Sequence, residues 1–241
     1  VENTVSVDSV TIKATSGSID ATKTVSITKA APAVDTVTIS GGVATLDVPA
    51  MDTLGTEKKV AATAAFTATL KDQYGADISS GTVTWSVSGN SGVIIDLNTG
   101  LLTISSSATD DDVTVTATAE NGKTGTASVT INKATSAATF VQVKKGGTVV
   151  TTDSIVIPTS GSPATTVTYT AEVYDQYGAL YTSDTPTWSI TSATGVSVSA
   201  GTVSVDNTAS AGTSVTLTAT SSTNTSKTAA VEITLTDKDI P

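Results

Sequence analysis

Residues 113–119 read Val-Thr-Val-Thr-Ala-Thr-Ala, apolar and hydroxyl side chains in unbroken alternation. A period of two places Val113, Val115, Ala117 and Ala119 on one face of an extended strand and the threonines on the other. A helix, with its period of 3.6, would scatter them around its circumference. The alternation returns at 66–70, where Phe66, Ala68 and Leu70 flank Thr67 and Thr69. It returns again at 215–219, where Val215, Leu217 and Ala219 flank Thr216 and Thr218. One dry face and one wet face belong to antiparallel sheets that pack in pairs. The β-branched residues that dominate here fit a pleated surface. Met occurs once in 241 residues and Leu is sparse, so long helices are not expected.

The chain repeats itself. DQYGA stands at 72–76 and at 175–179, and 175 − 72 = 103. The match is wider than five letters: FTATLKDQYGA (66–76) aligns with YTAEVYDQYGA (169–179), and TVTWSVSG (82–89) with TPTWSITS (185–192). A later unit occurs three times, as VTIKATSGSIDATKTVSITKA (10–30), VTVTATAENGKTGTASVTINKA (113–134) and VTLTATSSTNTSKTAAVEITL (215–235). Three stretches are therefore expected: 1–30, the last two strands of an incomplete domain; 31–133, a full domain; and 134–241, another. A period near 100 exceeds that of solenoids, about 20–45 residues, and matches an immunoglobulin-type sandwich. Two strands alone are marginal in water. Either a longer parent chain supplies the rest of the first domain, the favoured reading, or residues 1–30 pair with something else.

In the third stretch strands are expected near 139–144, 154–157, 166–174, 187–190, 196–198, 202–205, 214–220 and 229–235. Gly146-Gly147, Gly161, Gly178, Gly195, Gly201 and Gly212 mark turns between them. DQYGA then falls in a turn, where Asp accepts bonds from backbone amides ahead of it and Gly takes positive φ. A catalytic reading of this turn lacks a base, because the chain has no His and no Cys. Trp85 and Trp188 fall in the following strand, at the place of a core tryptophan, with a ligand platform as the other reading. The linkers TKAAPAVD (28–35) and NKATSAAT (132–139) are short, which restricts swing between neighbouring domains.

Composition narrows the function classes. Net charge is −10 and every basic residue is Lys, so a polyanion would be repelled and nucleic-acid binding is not expected. Without His and Cys, imidazole and thiol catalysis, disulfides and ordinary zinc or copper sites are excluded. Carboxylate-only chemistry such as glycoside hydrolysis has no acid pair shared between the repeats. No apolar run is long enough for a membrane span. The chain starts at Val1 without a signal peptide, as a mature or trimmed secreted protein would.

Three places stand out as candidate sites. Asp110, Asp111 and Asp112 are adjacent, and a hard cation such as Ca²⁺ relieves carboxylate repulsion with oxygen ligands. They form either part of a calcium site completed by another domain or chain, or a solvated acidic loop. DLNTG (96–100) opens like a calcium loop, but Ser107 holds the twelfth position, where a Glu is needed; a hairpin turn with Gly100 at positive φ is the other reading. Tyr174, Tyr177 and Tyr181 cluster around the second DQYGA, as an interdomain or lattice contact or as a sugar-stacking platform. NTS (224–226) is a glycosylation sequon.

The run VTWSVSG (83–89), followed by VIIDLNTGLLTISSSATDDDVTVTATAENGKTGTASVTI (93–131), resembles the group 2 bacterial immunoglobulin-like domain shared with invasin-type adhesins. The family shows a Trp-Ser strand, an Asp-x-x-x-Gly turn, a Thr-Ala-Thr strand and a final alternating strand. The resemblance covers nearly all of 31–133 and 134–241 and the tail of 1–30, although SVSAGTVSV (197–205) replaces the Asp-x-x-x-Gly turn in the last stretch. KDQYGA in an acidic, Cys-free, Lys-only chain further resembles S-layer proteins of Bacillus-like Gram-positive bacteria. It implies an all-β fold of tandem immunoglobulin-like antiparallel β-sandwiches arranged end to end, at the bacterial cell surface, with a non-catalytic role in a two-dimensional lattice stabilised by Ca²⁺. Partners would be lattice neighbours of the same chain and further domains of the parent. The alternative is an adhesin stalk or spacer, or a carbohydrate-binding accessory module that meets cell-wall glycans.

Overall fold

The structure, a computed structural model, describes residues 8–57 and 62–237. Residues 1–7 of the first expected stretch and 238–241 of the third lie outside the described residues. The described chain is all-β, and no helix in it is long and apolar enough to cross a membrane. Its strands run β1 (Asp8–Ser16), β2 (Ile19–Ile27), β3 (Val34–Gly41), β4 (Thr45–Asp47), β5 (Met51–Thr53), β6 (Thr56–Glu57), β7 (Ala62–Asp72), β8 (Val83–Ser88), β9 (Val93–Ile95), β10 (Leu101–Ile104), β11 (Asp111–Ala119) and β12 (Thr124–Asn132). They continue with β13 (Ala138–Lys145), β14 (Thr148–Val149), β15 (Thr152–Val156), β16 (Thr165–Thr168), β17 (Thr170–Asp175), β18 (Thr187–Ile190), β19 (Val196–Ser199), β20 (Thr202–Val205), β21 (Ser214–Thr220) and β22 (Thr228–Thr236). Contacts divide them into two compact units. Unit one takes the described parts of Val1–Leu46, Thr63–Thr103 and Asp110–Ile131; unit two takes those of Asp47–Ala62, Ile104–Thr109 and Asn132–Pro241.

Unit one holds two four-stranded sheets, β3-β7-β10-β9 and β4-β12-β11-β8. The alternation decides which faces meet. Val113, Val115, Ala117, Val129 and Ile131 on β11 and β12 are at most 1% exposed, as is Leu102 on β10. Phe66 of one sheet and Trp85 of the other bring their rings to 6.3 Å, so the core tryptophan reading holds for Trp85, 2% exposed. Gly100 is the other half of that contact. At φ +69°, a Cβ there would stand 2.7 Å from the Phe66 carbonyl oxygen and 2.8 Å from the Trp85 ring. Only glycine gives the indole this room.

Unit two repeats the plan with the sheet β15-β22-β21-β18 and the three-stranded sheets β14-β13-β17 and β16-β20-β19. Its core includes Val143, Ile155, Tyr169, Leu217, Ile233 and Leu235, with Trp188 packed against it. Gly201 takes the part of Gly100: a Cβ would meet the Tyr169 carbonyl oxygen at 2.5 Å and the Trp188 ring at 3.0 Å. The Asp-x-x-x-Gly turn is replaced by a two-residue link, Ala200-Gly201, with φ of +45° and +81°; both signs suit a tight hairpin.

Two details differ from an all-antiparallel sandwich with one long strand at 166–174. First, β15 pairs with β22 in parallel, from Thr152↔Glu232 to Val156↔Thr236. After β14 the chain crosses to the other sheet and arrives beside the last strand running the same way. Second, the 166–174 strand breaks at Tyr169. Its N–H donates to the Gly201 carbonyl at 2.9 Å, and its buried hydroxyl donates to Asp153 Oδ2 at 2.6 Å, which Lys145 Nζ also meets at 2.6 Å. Burial pushes the Tyr169 phenol well above its ordinary range, and the Asp153 carboxylate adds to that.

β1 and β2 form a regular hairpin from Asp8↔Ile27 to Ser16↔Ile19, yet their apolar face is open. Val10 is 49%, Ile12 59% and Val25 43% exposed, whereas their repeat equivalents Val113, Val115 and Val129 are sealed. Each such side chain forgoes about 1.5–3 kcal/mol of burial. Leu217→Ala is expected to cost unit two about 2–5 kcal/mol, seen as a lower melting transition. Ile12→Ala should change stability by less than about 0.5 kcal/mol; equal losses in both variants would contradict the open face.

Asp184 ties the loop before β18 to the turn between β21 and β22. It accepts from the Ser222 and Thr223 backbone N–H at 3.0 and 3.1 Å and from the hydroxyls of Ser221 and Thr223 at 2.5 and 2.6 Å. Partial burial pushes its carboxyl up, but these donors outweigh that and hold it well below the usual carboxylate range. A depressed folded pKa stabilises above the unfolded value of about 3.9 and loses that stabilisation as pH falls towards the folded one. Asp184→Asn should therefore melt below the wild type at pH 7, and the gap should narrow as pH drops below about 4.

Candidate functional site

The feature used twice without change is the DQYGA turn. Asp72 Oδ1 accepts from the N–H of Tyr74 and of Ala76, both at 2.9 Å, and Asp175 Oδ1 accepts from Tyr177 and Ala179, again both at 2.9 Å. The backbone closes around it, with Gly75 N–H to Asp72 O at 3.0 Å and Gly178 N–H to Asp175 O at 3.1 Å. Gly75 and Gly178 sit at φ +83° and +81°. Asp72 and Asp175 are 6% and 5% exposed, so each buried carboxylate is satisfied by amides its own turn would otherwise leave unpaired.

The turn then grips the chain that enters its repeat. Gln73 donates through Nε2 to Ala31 O and accepts at Oε1 from Ala33 N–H, both at 2.9 Å. Gln176 does the same with Thr135 O and Ala137 N–H, both at 2.9 Å. One side-chain amide thus copies the donor–acceptor pair of a neighbouring strand. The tyrosine hydroxyl donates to the next carbonyl upstream, Tyr74 to Ala30 O and Tyr177 to Ala134 O, each at 3.2 Å. A lysine lies over the ring, Lys29 Nζ 4.0 Å from the centre of Tyr74 and Lys133 Nζ 4.5 Å from that of Tyr177, a cation–π contact of about 0.5–1 kcal/mol when exposed. Asp, Gln, Tyr and Gly each have a task, and the tasks are mechanical.

The two grips differ in detail. Ser136 Oγ donates to Asp175 Oδ2 at 2.7 Å, where repeat two has Pro32, which fixes its own φ instead. The second turn is also covered. Met51 N–H, in the β5–β6 hairpin of unit two, donates to Gln176 O at 2.7 Å. Its sulfur lies 2.7 Å from where a Gly178 Cβ would stand, with Leu54 just behind. Residues 51–57 come from repeat two in sequence and group with unit two in space.

The other candidates are less organised. Asp111 and Asp112 open β11, and successive strand residues face opposite ways; Asp111 Oδ1 accepts from the Asp112 N–H at 2.8 Å. Among the described residues no three acidic side chains gather to hold a metal ion. Asp110, Asp111 and Asp112 do not fit a calcium ion by themselves, and oxygens from elsewhere would have to complete its shell. Asp96 caps the turn before Gly100, accepting from Asn98 and Thr99 N–H at 2.9 and 2.8 Å, and those amides hold its carboxyl below its ordinary value. Of the three tyrosines, Tyr177 is 7% exposed and spent on the linker. Tyr174 is half-buried, its hydroxyl bonded to Glu172, which raises its pKa, and met by Lys144 Nζ at 3.3 Å. Tyr181 is half-buried, with its N–H on Val173 O at 2.8 Å. Asn224 of the sequon donates through Nδ2 to Ala138 O at 3.1 Å.

Sequence reasoning placed the turn and missed its grip on the linker. The signal was there: Lys29 and Lys133 recur in step with the turn, 133 − 29 = 104. A lone lysine in a linker carries no marker of the ring it will cover.

No family model and no curated protein matches the chain. Among solved structures it is similar to surface layer protein SbsC, domains 1–6, at 19% identity and a TM-score of 0.35, covering 96% of this chain and 32% of that one. It is also similar to the extracellular cadherin domains 1–5 of protocadherin gamma B2, at 15% identity and a TM-score of 0.44, covering 99% and 47%. The chain thus spans about a third of the SbsC structure.

Gln176→Ala removes both bonds to the entering segment. At about 0.5–1.5 kcal/mol each, their loss should speed hydrogen exchange at the Ala137 amide roughly 5- to 100-fold, with Ala33 as the internal control. Gln73→Ala should reverse the pattern. Unchanged exchange in both would show that the glutamines do not hold the linkers.

Proposed function

We propose that this chain is a non-catalytic structural segment of a bacterial surface-layer protein, contributing domain and subunit contacts to a two-dimensional lattice at the cell surface. The observation that carries this reading is the duplicated turn. Its identical side chains are spent on fastening each repeat to the chain that leads into it. Tension along the polypeptide passes into a sandwich through two hydrogen bonds of a glutamine amide, a phenol hydroxyl and a cation–π contact, which suits a protein whose work is to hold. The resemblance of residues 83–131 to group 2 bacterial immunoglobulin-like domains and the acidic, Lys-only, Cys-free composition support the same reading.

In this reading subunit contacts use the exposed strand edges and loop ends, with Tyr174 and Tyr181 among the contact residues. Calcium is shared between Asp110, Asp111 and Asp112 of one molecule and oxygens of its neighbour. Electron microscopy of the purified protein in millimolar Ca²⁺ and in chelator tests it. Ordered sheets that dissolve in chelator are expected, and Asp110, Asp111 and Asp112 changed together to Asn should abolish the calcium response. Separate particles under both conditions would overturn the lattice role.

A further inference from the structure

Met51 is the one methionine of a chain without cysteine, so its thioether is the single sulfur in the sequence. Its place is well defined. The Met51 sulfur and terminal methyl stand 2.7 and 2.8 Å from where a Gly178 Cβ would be, with a Leu54 methyl at 3.7 Å. The thioether thus fills the space that a side chain at 178 would need, and an unbranched, polarizable group suits such an irregular gap. Met51 is half-buried, which leaves part of its surface open to small solutes.

This contact holds more than one side chain. β5 and β6 pair at Met51↔Glu57 and Thr53↔Thr56, a ladder too short to persist in water by itself. The hairpin rests on the turn instead, where the Met51 N–H donates to Gln176 O at 2.7 Å. The Gln176 side-chain amide in turn holds Thr135 O and Ala137 N–H, both at 2.9 Å. Thioether, backbone bond and linker grip are consecutive links, all within unit two. The base of the same segment is fastened separately, by Val48 N–H to Asn132 O at 2.9 Å and Asn132 Nδ2 to Asp47 Oδ1 at 2.8 Å.

Oxidation acts on the first link. In the reaction with hydrogen peroxide the sulfur gives an electron pair to one peroxide oxygen. The S–O bond forms, the O–O bond breaks, and the second oxygen leaves as water. The product is a methionine sulfoxide, polar and bulkier than the thioether. The Gly178 N–H is already given to Asp175 O at 3.1 Å, and the Leu54 side chain offers only carbon. An oxygen buried there without a donor is costly, so it turns to water and draws the sulfur off Gly178.

We propose that Met51 is an oxidation site whose sulfoxide releases the β5–β6 hairpin from the turn at 175–178 and loosens the Gln176 grip on residues 135–137. The thioether is then a redox-sensitive latch on the linker that enters unit two. The latch works within one molecule and does not depend on the lattice role.

Amide hydrogen exchange read by NMR tests this on the 241-residue chain before and after treatment with dilute hydrogen peroxide, with the added oxygen placed on Met51 by peptide mass mapping. In the oxidised protein the Met51 and Ala137 amides should exchange on the order of tenfold faster. Val48, and Ala33 on the equivalent glutamine bond of unit one, should keep their rates. Met51→Gln should show the same pattern without peroxide, and Met51→Leu should keep the slow rates in its presence. An Ala137 rate unchanged at full oxidation overturns the latch, and so does a folded chain that takes up no oxygen at Met51. Equal acceleration at Val48 and Ala33 would report unfolding of the whole chain and overturn it as well.

Discussion

A strand that alternates valine with threonine has one face that water penalises, and the whole architecture follows from where that face goes. In unit one it goes against a second sheet, and Val113, Val115, Val129 and Ile131 vanish from solvent. In unit two the equivalent Val215, Leu217, Val231 and Ile233 do the same. Backbone hydrogen bonds alone satisfy β1 and β2 as a ladder, but a ladder has two faces and only one of theirs suits water.

Once the faces are paired, close contacts select particular residues. The indoles of Trp85 and Trp188 lie so near the turn into the next strand that only glycine fits at positions 100 and 201. The local turn can change around that requirement. Asp96 caps it in one repeat, and Ala200 at positive φ makes it in the other. What both repeats keep is the empty space beside the ring. The same economy governs the DQYGA turn, where a buried carboxylate organises the backbone, leaving glutamine and tyrosine free to hold the linker.

Much of this was legible in the letters. In the third stretch the expected ranges placed β18, β20 and β21 to the residue and β13, β15, β19 and β22 to within one or two, but missed β14 and the break between β16 and β17. The turn at 72–76 was legible because Asp and Gly act on their own backbone, a local effect that sequence carries directly. The grip was not, because Gln73 and Gln176 act on residues about forty positions upstream. The parallel β15–β22 pair escaped for a similar reason: alternation records which face is dry, not which neighbour runs beside it. In the acidic run at 110–112, Asp111 and Asp112 are neighbours in the sequence, and the pleat of β11 turns them to opposite faces.

What the sequence alone determined is periodic: extended strands, their dry faces, glycine at the turns, and a repeat near 100 residues. The strands, faces and turns depend on neighbours one to four positions apart, and the covalent chain sets those distances; the repeat shows as the same letters recurring 103 positions on. Tertiary structure decided what depends on distant partners: the amide clasp on the linker and the methionine over Gly178. Two identical pentapeptides therefore end up in different surroundings, with Met51 and Leu54 over Gly178 and neither of them over Gly75. Five letters specify the shape of a turn, but only the fold brings another segment to lie against it.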